Sequence, residues 1–489
     1  MVKYARPILW AGTICLSACS LAPDYTVPPT PIAAQFKPAA PWTCAQPSDQ
    51  LDRNGWWKIY DDAQLNDLEQ RLLANNTNLR AALAHYQQAQ ALVAQARSTL
   101  FPQVSVGAFP DRIRQSDNKP LRSPGSDDYT SATLGVGVDY DLDLWGRVRD
   151  SVAASRDQAQ AEKADLASAQ LSLQIQLADQ YIRLRGLDQQ TQLLNQTIAA
   201  LTKAFELTQT LHSGGIDSDL AVAQADTQLS AARAQLPENL AQRALAEHAI
   251  AVLIGASASE FSLPQQTTAI KLPMIPTGLP STLLQRRPDI AAAERRAAAA
   301  NANIGVARAA YFPSITLAAQ GGLQSDAYAG LLSAPNVFWT IGPQFVQYAF
   351  DGGRRRAQLD AAKAAGDEAG ARYRGVVLAA FQQVEDNLSR LTELASALDR
   401  QDDAVNAAQR SLDLAMSSYR QGAVGYLDVV QAQTAALGTQ SAALHIQTQQ
   451  LSASVQLIGA LGGGWSSQEL TDITTAPKRL TVSTDGTTS

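Results

Sequence analysis

One structural module is written twice along this chain, and that limits its possible folds more than any other feature. Arg97-Ser98-Thr99-Leu100-Phe101-Pro102 returns as Arg308-Ala309-Ala310-Tyr311-Phe312-Pro313, displaced by 211 positions. Leu144-Trp145-Gly146-Arg147 returns as Asp351-Gly352-Gly353-Arg354, displaced by 207. At the same displacement of 207, Gly215 with Leu220 and Gln224-Ala225 matches Gly422 with Leu427 and Gln431-Ala432, and Leu253-Ile254-Gly255 matches Ala460-Leu461-Gly462. A solenoid unit runs to about 20–50 residues, so a period this long means a duplicated module. Each copy reads in the same order: a helix, two period-two stretches around a polar loop, a very long helix, a Gly-containing turn and a shorter returning helix. The expected divisions are 1–18, 19–64, 65–270 for the first copy, 271–465 for the second and 466–489 for a Ser/Thr-rich, disordered tail.

The first helix of each copy is expected at residues 65–100 and 289–311. In the long helices, Leu173, Leu177, Tyr181, Leu184, Leu187, Leu194, Ile198, Leu201 and Phe205 recur at spacings of three, four and seven. Val377, Phe381, Val384, Leu388, Leu391, Ala395, Leu398, Val405, Leu412 and Tyr419 do the same. A sustained seven-residue stripe predicts helices wound on neighbours as a coiled coil. Aromatics make up only 6% of residues, and Ala, Gln and Leu crowd these segments, which suits close packing through small side chains. A helix over 148–211 is about 95 Å long, far beyond a bilayer core of roughly 30 Å. Gly214-Gly215 and Gln421-Gly422 then supply reversals, giving two helical hairpins.

Residues 134–142, Leu-Gly-Val-Gly-Val-Asp-Tyr-Asp-Leu, put an apolar side chain at every even position and Gly or Asp at every odd one. One face of such a strand suits lipid and the other suits water. Residues 341–345 echo it, with partner strands at 104–109 and 314–318. Phe101, Trp145, Tyr311, Phe312 and Phe350 stand at the helix–strand junctions, where an interfacial aromatic girdle belongs. Four strands cannot close around a pore, and an open edge cannot face lipid. The chain is therefore expected to oligomerise. Three copies give twelve strands and a water-filled interior, although strand number alone also admits two or four.

The N-terminus reads as an export signal. Lys3 and Arg6 precede an apolar stretch at 8–16, and Leu16-Ser17-Ala18-Cys19 resembles a bacterial lipobox. Cleavage before Cys19 would make it the site of lipid attachment, and several acyl chains anchor more firmly than one. By resemblance to other lipoproteins, Ser20 in place of Asp favours the outer membrane. With Cys15 removed and Cys19 acylated, Cys44 is left alone, so no disulfide framework is expected. No run of 18 apolar residues follows Cys19, so a membrane-spanning part must consist of strands.

Catalytic patterns are not expected. The net charge of −6 gives no bulk attraction to nucleic acid. His85, His212, His248 and His445 lie on different helices without a second ligand at metal-binding spacing. No phosphate loop or nucleophile elbow occurs, and Asp61-Asp62 and Asp402-Asp403 read as loop or helix charges. Arg354-Arg355-Arg356, with Arg147 and Arg149, admit two readings: contacts to lipid phosphates, or a solvated first turn or pairing with other protein groups.

Several segments together carry a resemblance to a known family. They are Pro23-Asp24-Tyr25, Trp56-Trp57, Leu142-Asp143-Leu144-Trp145-Gly146-Arg147, Arg286-Arg287-Pro288-Asp289-Ile290 with Glu294, Ile304-Gly305-Val306-Ala307-Arg308, Phe350-Asp351-Gly352-Gly353-Arg354 and Leu461-Gly462-Gly463-Gly464-Trp465. Over residues 19–465 the chain resembles the TolC-type outer-membrane factors, specifically the lipoprotein branch of tripartite (RND-type) efflux systems. The resemblance implies a mostly α fold with a small β part. In it, duplicated helical hairpins form a coiled-coil tunnel, and each chain gives four strands to a trimeric twelve-stranded barrel. It implies a non-enzymatic exit duct for small molecules such as drugs, lodged in the outer membrane, lipid-anchored and extending into the periplasm. Its implied partners are two further copies, outer-membrane lipid, a periplasmic adaptor and an inner-membrane transporter. No nucleic acid and no cofactor beyond lipid on Cys19 are implied.

The same resemblance makes the hairpin tips a gate. Leu427 matches the family's Leu ring, while Gln431 stands where some relatives carry an Asp ring. Asp217, Asp219 and Asp428 are the candidate substitutes for that charge, and Gly215 and Gly422 set the turns. The alternatives are a type I protein-secretion duct and a periplasmic structural or adaptor coiled coil. An adaptor normally carries one hairpin, whereas this chain carries two, each preceded by a strand pair.

Overall fold

The computed structural model describes residues 20–31, 55–118, 127–273, 275 and 286–470. The signal segment, Cys19, Cys44 and residues 471–489 lie outside the described residues. The first copy supplies α1 (Ala63–Asn75), α2 (Thr77–Ser98), β1 (Gln103–Arg114), β2 (Asp128–Asp141), α3 (Arg147–Ser213) and α4 (Asp219–Leu253). The second supplies α5 (Pro288–Ala309), β3 (Ser314–Ser325), β4 (Val337–Val346), α6 (Arg354–Arg420) and α7 (Tyr426–Ala460). The duplication is visible in the lengths. The helices α2 and α5 each have 22 residues, α3 and α6 each 67, and α4 and α7 each 35.

The described residues gather into two compact units, and each draws on both copies. One comprises parts of 20–29, 85–162 and 292–374, and the other parts of 55–84, 163–291 and 375–470.

In the first unit the strands form one antiparallel sheet in the order β1-β2-β3-β4. The register aligns the alternation across the sheet. Val106 lies opposite Val136, Val136 opposite Gly321, and Gly321 opposite Trp339. One face therefore gathers Val104, Val106, Leu134, Val136, Leu317, Trp339 and Ile341, all exposed, with Val106 at 75% and Trp339 at 77%. The other face carries Ser105, Gly135, Gly137, Asp139, Thr316, Gln320 and Gln344, which are small or polar, together with Phe109 and Phe338, whose rings lie against Gly107 and Gly135. The strands run longer than the apolar alternation does. For example, β1 continues through Pro110-Asp111-Arg112-Ile113-Arg114, paired with residues 128–132. Backbone ladders need no apolar face once they leave lipid, so hydropathy underestimates their length. Pro110 and Pro343 lie on β1 and β4, the two edge strands, where a missing N–H costs least.

Both 67-residue helices begin under an aspartate that accepts orphan backbone N–H groups. Asp143 accepts from Val148 at 3.1 Å and Arg149 at 2.9 Å, and Asp351 accepts from Gly353 at 3.0 Å and Arg355 at 3.2 Å. In the second unit the heptad stripe buries Leu177, Tyr181, Leu184, Val384, Leu388 and Leu391 against Ile250 of α4 and Leu457 and Ile458 of α7. Trp56 and Trp57, in a short 3-10 turn (Trp56–Tyr60), join this core edge to face. Further along, Leu398, Val405 and Leu412 are only half-covered within one chain. A buried ionic clamp fixes the segment after α4: Arg243 binds Asp188 at 2.6 Å and donates to the Leu263 carbonyl at 2.8 Å.

The expected single helix over 65–100 is broken at Asn76. Its side chain accepts from Leu79 N–H at 2.9 Å, starting α2, and donates to the Leu253 carbonyl at 2.7 Å. An Asn in this N-cap role stops one helix and opens the next. Asp62 likewise caps α1, accepting from Gln64 and Leu65, and it also accepts from the Tyr181 hydroxyl. The first residues of the expected tail form a 3-10 turn (Ser467–Leu470) with Leu470 buried.

Candidate functional site

The sequence candidates for the gate come together where the two hairpins reverse. Gly215 and Gly422 have φ of 73° and 71°, the left-handed region that a side chain resists. A Cβ added at either would meet nothing within 4 Å, so backbone conformation alone requires glycine there. On α7, Tyr426, Val429 and Ala432 face inward, while Leu427, Asp428 and Gln431 are exposed. Leu427 and Gln431, four apart, share one helix face. Leu220, the counterpart of Leu427, is also exposed, as is Ile216.

The acidic candidates are held differently. Asp219 is almost fully exposed, with Oδ1 3.2 Å from His212 Nε2. Asp217 is partly covered and is bound by the other hairpin: the Tyr419 hydroxyl donates to its Oδ2 at 2.6 Å. The same hydroxyl lies 3.1 Å from Thr208 Oγ1, but its one proton goes to the nearer, charged acceptor. Tyr419 packs edge to face on Tyr426 at 5.3 Å, inside a small core with Ala204, Ala221, Ala225 and Val429. Burial, reinforced by Asp217, pushes the Tyr419 hydroxyl up to about 12, so it remains a donor. Positions 212 and 419 are counterparts under the 207-residue displacement, and both direct a polar ring at the turn 217–219.

Sequence reasoning placed Tyr419 in the heptad stripe and missed Tyr426 and Thr208. The available signal was a phenol at the last stripe position before a reversal, where a purely apolar residue would serve packing equally well.

At the helix–sheet junctions, Phe101, Tyr311, Phe312 and Phe350 are exposed, and Trp145 stacks on Phe312 at 4.7 Å with its indole N–H donating to the Pro313 carbonyl. The arginines beside them are largely paired. Arg147 binds Asp141 at 2.7 Å, Arg355 binds Asp351 at 2.6 Å, Arg149 binds Asp143 at 3.2 Å and Arg356 approaches Asp360 at 3.9 Å. Arg354 lies over the Tyr348 ring. Internal pairing thus accounts for four of the five. Among the described residues no three His, Cys, Asp or Glu side chains converge as metal ligands, and no helix is long and apolar enough to cross a membrane.

Comparison with known proteins gives the same architecture. A model of the outer membrane efflux protein family matches residues 68–256 and again 279–463, once in each copy. The chain is 34% identical over 458 residues to the probable efflux pump outer membrane protein TtgC of Pseudomonas putida, covering 93% of this chain and 94% of that one. It is 32% identical to the outer membrane protein OprJ of Pseudomonas aeruginosa, covering 92% and 94%. Among solved structures, the CmeC outer membrane channel of Campylobacter jejuni superposes with a TM-score of 0.85 at 26% identity, covering 92% of this chain and 96% of that one. With its doubled module, its two-faced four-stranded sheet and these relatives, the chain belongs to the outer membrane efflux protein family.

Proposed function

We propose that this chain is one third of a trimeric exit duct that carries small molecules, such as drugs, across the outer membrane. The observation that carries this is the sheet, which has one exposed apolar face, one mostly small and polar face, and edges at β1 and β4 that no described strand covers. Neither edge tolerates lipid unpaired. Pairing β4 of one copy with β1 of the next satisfies both and builds a twelve-stranded wall with its polar face toward water. The half-covered stripe at Leu398, Val405 and Leu412 supports the same assembly, because a heptad seam left open within one chain is matched by a neighbouring helix.

The duct supplies no energy in this reading. An inner-membrane transporter does that, and a periplasmic adaptor contacts the tips. Three Leu427 side chains meeting at the axis exclude water and ions, and Asp217, Asp219 and Asp428 favour cations. Adaptor contact stabilises the parted tips more than the closed ones, so binding shifts the population toward open. Acyl chains on Cys19 add an anchor beside the barrel. Native mass spectrometry of detergent-extracted protein tests the assembly and is expected to give a trimer. A stable monomer would overturn it, since four strands alone leave edges in lipid.

A further inference from the structure

Residues 20–29, immediately after the expected lipid site, lie in a built seat. The strap contains Pro23, Pro28 and Pro29, which lack N–H groups and cannot pair as an inner strand. Helix side chains bind its carbonyls instead. Arg308 donates to the Leu21 carbonyl at 3.0 Å, Asn301 to that of Pro23 at 2.7 Å and Arg374 to that of Pro29 at 3.1 Å. In the other direction, the Tyr25 hydroxyl donates to the Glu294 carbonyl at 3.2 Å. Glu294, Asn301, Gly305 and Arg308 are seven, four and three apart, one stripe along α5. The strap runs antiparallel to that stripe.

Two contacts make the seat selective. Gly305 leaves room for the strap: a Cβ there would lie 2.7 Å from Ala22 N, 2.8 Å from Ala22 Cβ and 2.2 Å from Asp150 Oδ2. Asp150, in the first turn of α3 and only 4% exposed, accepts from the Ser20 hydroxyl at 2.7 Å. Its other oxygen is buried without a partner. A carboxylate held this way welcomes a donor and repels a second ionised carboxylate.

We infer that Asp150 and Gly305 form a seat that selects the residue following the lipidated cysteine, so that the anchor is clipped to the sheet-bearing unit rather than swinging on a tether. Ser20 therefore serves twice, once in lipoprotein sorting and once in docking. The seat stands on the geometry; its consequence for the anchor rests on the reading of Cys19 as acylated.

Hydrogen-exchange mass spectrometry on detergent-extracted trimers tests the seat independently of where the protein was sorted. In the parent, Leu21 and Ala22, whose N–H donates to Ser20 Oγ at 3.2 Å, are expected to be protected. Ser20→Asp sets a second acid against Asp150 and is expected to speed their exchange by about tenfold or more, with peptides of α7 unchanged. Adding Asp150→Asn restores a donor–acceptor pair and should return protection without restoring sorting. Gly305→Leu, which fills the seat, should deprotect the strap as Ser20→Asp does. If Ser20→Asp leaves exchange unchanged, or if Asp150→Asn fails to rescue it, the seat does not select residue 20. The mass of the N-terminal peptide separates the two claims. An unacylated Cys19 with a protected strap removes the anchor and leaves the seat.

Discussion

Replacing Tyr419 by Phe removes one hydroxyl from the hairpin tip and keeps the ring against Tyr426. The lost bond, 2.6 Å to Asp217, ties α6 to the α3–α4 turn. Hydrogen bonds to charged groups are worth about 1.5–3 kcal/mol. Asp217 is partly open to water and keeps the Ser218 N–H at 2.9 Å, so about 1 kcal/mol per chain is the expected net loss. If three tips part together, the sum is about 3 kcal/mol, which raises the open-to-closed ratio by roughly a hundredfold. Single-trimer recordings in planar bilayers read this as a higher open fraction. Thr208→Val, which removes a hydroxyl that Tyr419 does not donate to, is the control and should change little. Because the Tyr419 hydroxyl is pushed up to about 12 by burial, the parent's conductance should show no step from its ionisation up to about pH 10. Folded Tyr419→Phe trimers that open no more often than the parent would refute the argument.

Leu427→Ser should raise single-channel conductance, and an unchanged value would remove Leu427 from the constriction. Gly422→Val places a β-branched residue at a φ of 71° and should impair efflux at a cost of roughly 1–3 kcal/mol while trimers still form; native mass spectrometry and an efflux assay read the two separately. Val136→Arg, on the apolar sheet face, should cost about 2–4 kcal/mol in urea-dependent insertion into lipid vesicles, whereas Gln320→Arg on the opposite face should cost little. Glu69 is buried with neither oxygen partnered, and burial pushes its carboxyl up to about 9 from 4.5. Between those values the unfolded chain binds fewer protons, so stability is full below the lower value and declines toward the upper one. Glu69→Gln should therefore raise the thermal midpoint at about pH 8 and have little effect near pH 4; a lower midpoint at pH 8 would mean that Glu69 works as a charge.

The doubled module was legible because short motifs recur about 207 positions apart, and the two-faced strands because they rest on local periodicity, as in Leu134-Gly135-Val136-Gly137-Val138. Strand lengths were not, since Arg112 and Arg114 pair as well as Val104 does once outside lipid. The interruption at Asn76 was hidden under an apolar stripe that continues across it, although Asn76 itself is a common N-cap residue. The gate candidates Leu427 and Gln431 came from the family resemblance, and the turns at Gly215 and Gly422 from matching the two copies. The bond that joins the hairpins was not legible, because Tyr419 and Asp217 are 202 positions apart and no spacing rule links them. The strap followed the same pattern. Cys19 and Ser20 stood out at once, but Asp150 and Gly305 gain their meaning only when α3 and α5 lie beside them.

The unlike edges of the sheet carry a genetic consequence. In the proposed ring β1 of each subunit pairs with β4 of the next, so every subunit must offer a sound β1 to one neighbour and a sound β4 to the other. A subunit damaged at one edge is still captured through the other, and it then spoils the ring it joins. In a cell making equal amounts of sound and damaged chains, only about one ring in eight would be free of damage if three subunits mix at random. Lesions in β1 or β4 should therefore be dominant over a wild-type copy, whereas lesions that prevent folding altogether should be recessive.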